Sequence, residues 1–240
     1  MHQQARIDNL KNMLSANRII RGTWHAADPF GRECMCLLAA LAPEAAEKKS
    51  CLVVPETVMP QWLAQLTVWM NDLGTTEAWP LMIKRYVELA EQWHTLKPIA
   101  WKRAEVRVRR AVIVNVQQFA EREVTRKLCE HGVTLFDRVL AREYPLHREW
   151  HSFLLATHKL PTPDGLVAEA IREAATNGDL RVGKAVRLWF CIAMYSEYKP
   201  IRVVPEARAN LNSRRLLWDY LADIVLDSIE TELEATQAQA

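Results

Sequence analysis

SRRLLWDYLADIVLDSIETELE, residues 213–234, reads as a single amphipathic helix and sets the fold class for the rest of the chain. At about 100 degrees per residue, Asp219, Asp223, Asp227, Glu230 and Glu234 fall within an arc of about 80 degrees. Leu217, Tyr220, Leu221, Ile224, Val225 and Ser228 take the opposite side. A solvated helix face ordinarily interleaves Lys or Arg at i and i+4, each pair worth roughly 0.2–0.5 kcal/mol. This helix has no such base after Arg215, and it sets acids at its electronegative end. Three readings follow: a plain solvent-facing stripe, an internal clamp by the chain's own basic segment, or a surface offered to a basic partner in imitation of a phosphate backbone.

Working outward, the same 3.6-residue period recurs along the chain. Ile7, Leu10 and Leu14 mark a first helix over about 3–18. A turn follows at Asp28, Pro29, Phe30 and Gly31, and Cys34 to Leu41 is apolar all round, as a helix buried on several sides requires. Pro60 and Gly74 bracket a helix over 60–73 with Trp62, Leu66, Trp69 and Leu73 on one face. Thr76 caps the next, which carries Trp79, Ile83, Tyr86, Leu89, Ala90 and Trp93. Beyond Pro98, residues 101–119 are rich in β-branched side chains, and helix and strand both stay open, with helix favoured. Shorter helices divided by Gly132 and Pro145 lead to Lys159, and Gly178, Pro200 and Pro205 punctuate the remainder. The expectation is an all-α protein of two helical subdomains, 1–160 and 161–240, joined by the Pro/Gly-rich linker Pro161-Thr162-Pro163-Asp164-Gly165.

The bulk numbers agree with long helices and short connections: 240 residues, half of them hydrophobic, with 9 Trp and only 7 Gly. A net charge of +2 is too small to drive nonspecific attachment to DNA or lipid, so recognition would have to be local. Locally the charge is segregated. Residues 97–159 carry 13 Lys+Arg against 7 Asp+Glu, while residues 216–240 carry 6 acids and no base. Five cysteines suit free thiols in a reducing compartment, and the opening residues lack a leader pattern, which places the protein in the cytoplasm.

Trp101, Lys102, Arg103, Arg107, Arg109 and Arg110 form the basic segment; on a helix, Arg103, Arg107 and Arg110 share a face, and arginine forks suit phosphate or carboxylate. A neighbouring Trp can stack on a base or a guanidinium. His147, His151 and His158 share helical spacing, but Glu149 and Arg148 are wrongly placed for a zinc helix, so no metal is assigned. No glycine-rich phosphate loop or Gly-x-Ser-x-Gly elbow occurs, and no cofactor is expected.

Arg21-Gly22-Thr23-Trp24, Gly31-Arg32-Glu33, Cys36-Leu37-Leu38-Ala39-Ala40-Leu41-Ala42-Pro43-Glu44 and Val58-Met59-Pro60-Gln61-Trp62-Leu63, continued by Glu77-Ala78-Trp79-Pro80 and Trp93-His94, resemble a group of helical proteins encoded by bacteriophages and prophages. The resemblance covers about residues 18–110, under half the chain, and brings no assigned chemistry. It suggests a phage or mobile-element origin and supplies no mechanism; the single-sign stripe and the missing reaction motifs lead to the expectation of a non-catalytic product in the host cytoplasm. Such a protein would bind and inhibit a host protein or ribonucleoprotein complex, in the anti-CRISPR manner, through Asp219, Asp223, Asp227, Glu230 and Glu234. The alternatives are a nucleic-acid-binding protein using residues 101–110, or a virion assembly protein.

Overall fold

The computed structural model describes residues 3–160, 164–195 and 211–238. Eleven α-helices and one two-stranded sheet are found among them. They divide into two compact units, 1–101 with 214–240, and 102–213.

In the first unit, α1 (Gln3–Ser15) ends where Asn17 turns left-handed. β1 (His25–Ala27) and β2 (Glu33–Met35) pair antiparallel across the turn expected at Asp28–Gly31, whose Asp28 carboxylate accepts from the Phe30 and Arg32 amides. The apolar run then becomes α2 (Leu37–Leu41) and α3 (Pro43–Lys48). Cys36 caps α2 by accepting from the Ala39 amide through its sulfur, and every residue from Leu37 to Ala42 is fully buried. α4 (Gln61–Leu73) lies within one residue of its expected bounds. α5 (Trp79–Ala90) has Ala78 at its N-cap and no side-chain cap, where Thr76 was expected; in the turn before it the Thr75 hydroxyl accepts from the Ala78 amide. α11 (Leu211–Gln237) returns to this unit and buries Leu221, Val225, Leu226 and Ile229 completely. It runs three residues past the expected end, where Gln237 donates to the Gln92 side chain at 2.8 Å. Of the tryptophan stripe, Trp62 and Trp93 are core, Trp69 packs on Trp218 at 5.7 Å, and Trp79 lies under the Arg21 guanidinium.

α6 (Pro98–Gln117) resolves the helix-or-strand question in favour of the helix; its Val108, Val112, Ile113 and Val116 are fully buried in the second unit. β-branched residues were tolerated because tertiary packing outweighs a propensity cost of a few tenths of a kcal/mol each, roughly. α7 (Glu123–Leu140) passes straight through Gly132, which sequence punctuation had given as a break. A Cβ there would lie 2.7 Å from Cζ of Phe153 and 3.1 Å from Cδ1 of Ile113, so the glycine serves close helix approach. α8 (His147–His158), α9 (Gly165–Ala175) and α10 (Asp179–Tyr195) complete the unit, with Gly178 at φ 121° between the last two.

The boundary expected at 160/161 does not coincide with these units. Asp164, 2% exposed, accepts from the amides of Glu121 and Arg122 and from the Thr125 hydroxyl, so it ties α9 to the α6–α7 corner. Asp164 and Gly165, which look like linker on composition, thereby belong to the second unit. Pro161, Thr162 and Pro163, like Pro200 and Pro205, lie outside the described residues.

Candidate functional site

The acidic face of α11 exists as read, but the fold has already put part of it to use. Asp219 accepts from the Thr75 amide at 3.0 Å and from the Thr75 hydroxyl at 2.7 Å, holding the α4–α5 corner against α11. That approach needs Gly74, since a Cβ there would fall well inside contact distance of the Asp219 carboxylate. Arg85, projecting from α5, meets Asp227 at 2.6 Å, Asp223 at 4.0 Å, and Glu230. Of the open readings of this stripe, an internal clamp by the basic segment is replaced by a clamp from Arg85, a residue outside that segment. No local signal marks Arg85, because its partners lie 138 to 145 residues away in the chain.

The compensation is incomplete. One guanidinium, 29% exposed, serves three carboxylates whose side chains stay 69%, 66% and 45% exposed, and Glu234 further along the stripe is exposed as well. Partial desolvation and the neighbouring Asp227 carboxylate raise the Asp223 pKa above its ordinary value, with Arg85 opposing. Desolvation also acts against Arg85, yet its hydrogen bonds to Asp227 and Glu230 win and raise its pKa. The face therefore keeps an anionic excess of four carboxylates over one base.

The basic segment reads differently in three dimensions. Arg109 is 3% exposed. It binds the buried Glu105 at 2.7 Å and donates to the carbonyls of Glu173, Ala174, Thr176 and Gly178, closing the C-terminal end of α9. Its donors are consumed by the fold, which withdraws it from the expected binding set. Lys102 shares Glu105 at 2.8 Å, and Arg110 forks onto Asp137 at 2.5 and 3.2 Å. Arg103 and Arg107 are partly exposed. Trp101 stands edge-on to Trp93 at 5.5 Å, so its ring is engaged in packing. A continuous cationic stripe over 101–110 is therefore not presented.

The five cysteines are free thiols. Burial raises the pKa of Cys36 and Cys51 and pushes Cys129 up to about 12, the opposite of the environment a nucleophilic cysteine needs. His147 and His151 stack at 6.3 Å on α8, and among the described residues no group of three or more potential ligands is gathered for a metal ion. No helix among them is long and apolar enough to cross a membrane. Comparison with family models, with curated proteins and with solved structures returns no match to the chain.

Proposed function

We propose that this is a non-catalytic binding protein that docks the anionic face of α11 on a cationic surface of a partner macromolecule. The observation that carries the reading is the sharing of one guanidinium by Asp223, Asp227 and Glu230, which leaves an exposed, under-compensated ridge together with Glu234. A folded chain tolerates such a ridge at modest cost in water, and an arginine-lined surface of complementary sign would bind it with steering that weakens as salt rises. Together with the resemblance to phage and prophage proteins, the ridge supports a specific setting: a mobile-element product that occupies the nucleic-acid groove of a host ribonucleoprotein, such as a CRISPR effector. Asp219 drops out of the contact set, since its carboxylate is committed to Thr75.

The test is retention of the chain by a purified CRISPR effector complex at low and at raised salt. Asp223→Asn, Asp227→Asn, Glu230→Gln and Glu234→Gln combined should lower affinity by at least about tenfold, in line with the loss of several charge-assisted contacts. Retention that is indifferent both to these changes and to salt removes the ridge from the account.

A further inference from the structure

The second unit holds a cavity of about 300 Å3 formed between α6, α7, α8 and the C-terminal end of α9. Its inner surface is apolar: Val106 and Phe136 are buried, Trp150 stands edge-on to Phe136 at 5.1 Å, and Leu154 closes one side. Polar groups among its lining residues include Lys102 from α6, with a side chain 47% exposed, and the stacked pair His147 and His151 on α8, both exposed. None of the residues lining the cavity is acidic. Four carboxylates neighbour lining residues in the chain: Asp137, Glu149 and Glu173 are paired with Arg110, Arg138 and the Arg181–Lys184 pair, while Glu105 is buried and divided between Lys102 and Arg109, so there two positive charges share one negative one. Arg109 also lines the cavity, but its donors are spent on Glu105 and the α9 carbonyls, and the Thr176 hydroxyl donates to the Arg172 carbonyl, which leaves the Lys102 ammonium, the two imidazoles and the neutral Asn177 side chain to meet a ligand.

We infer that this cavity binds a small amphipathic anion, a carboxylate carried on an aromatic body of about two rings. The size follows from volume: an apolar cavity of about 150 Å3 accepts benzene, and this one is about twice as large. The sign follows from the surplus cation and the absence of a lining acid. The orientation follows from the separation of an apolar interior from a Lys–His group, a few polar donors fixing one end of an otherwise apolar ligand. The site is independent of the α11 ridge, which belongs to the other unit.

The experiment is calorimetric titration of the full chain with naphthoate and with its neutral isostere naphthalenemethanol. Naphthoate should bind saturably with one site per chain, and the alcohol at least about tenfold more weakly, as expected for loss of one charged hydrogen bond. Lys102→Met should bring naphthoate down to the level of the alcohol and leave the alcohol unchanged, with thermal melting confirming the fold. Leu154→Trp, which fills the cavity, should abolish binding of both. Absence of saturable binding to the unaltered chain, equal affinity for the two probes, or naphthoate binding that survives Leu154→Trp each overturns the assignment.

Discussion

Arg109 shows how much one side chain can fix. A guanidinium with almost no exposure is costly unless its donors are all engaged, and here one carboxylate and four carbonyls engage them. Replacing it with Met leaves Glu105 buried with only Lys102 beside it and strips the end of α9. The expected cost is about 3–5 kcal/mol in denaturant unfolding. Arg109→Lys should recover little of this, because a point charge cannot span five acceptors as a planar fork does. Gly74 makes a second residue-scale case. Gly74→Ala should cost about 1–2 kcal/mol by displacing the Asp219 carboxylate from Thr75. In an Asp219→Ala background the same change should be neutral, and a double-mutant cycle by thermal melting measures the difference. Neither role was legible from sequence. Composition shows that Arg109 is basic and Gly74 permissive, while partners 64 to 69 and 145 residues away set what each does.

At the scale of elements, periodicity located α4 and α11 well, because a buried helical face imposes its period on twelve or more residues. The strands β1 and β2, three residues each, are too short to alternate visibly, and the Gly132 break failed because helix crossing, not chain reversal, explains the glycine. The acidic residues of α11 share a face, and the basic segment, one candidate for an internal clamp, is not what meets them; Arg85 is. The electrostatics of that face give a pH test. Asp223 has a folded pKa raised above its unfolded value, so its ionised form is disfavoured by the fold. The penalty is present at neutral pH and is relieved as pH falls through the raised pKa. Asp223→Asn should therefore raise the melting temperature slightly at neutral pH, with the gain vanishing in acid; the exposure of the side chain keeps the effect small. Glu173 is the converse. Desolvation alone would raise its pKa, but hydrogen bonds from Lys184 and Arg181 lower it overall, so its contribution is present above the unfolded value and is lost as pH falls through the folded one. Glu173→Gln should therefore lower the melting temperature at neutral pH and flatten its fall in acid, the gap to the unaltered chain closing as pH drops, measured by melting across pH.

At the scale of the molecule, the breaker cluster at 161–165 and the true division of the chain separate. Gly and Pro mark where a chain turns, and they carry no information on which surfaces then meet. Asp164 binds the α6–α7 corner, and α11 supplies the first unit with Leu221, Val225, Leu226 and Ile229, each fully buried. Burial of such side chains is worth about 1.5–3 kcal/mol apiece, which together rivals the whole stability of a typical domain. Removing residues 214–240 should therefore abolish cooperative melting of the first unit while leaving the second intact. In limited proteolysis the truncated chain should be digested within its first hundred residues, and a protected fragment spanning α6 to α10 should survive. A fragment of residues 1–160 should do worse, since it lacks both α11 and the α9–α10 pair that Arg109 and Glu173 hold in place. Cooperative, native-like melting of that fragment would restore a boundary at the Pro-rich cluster and displace the division at 101 and 214.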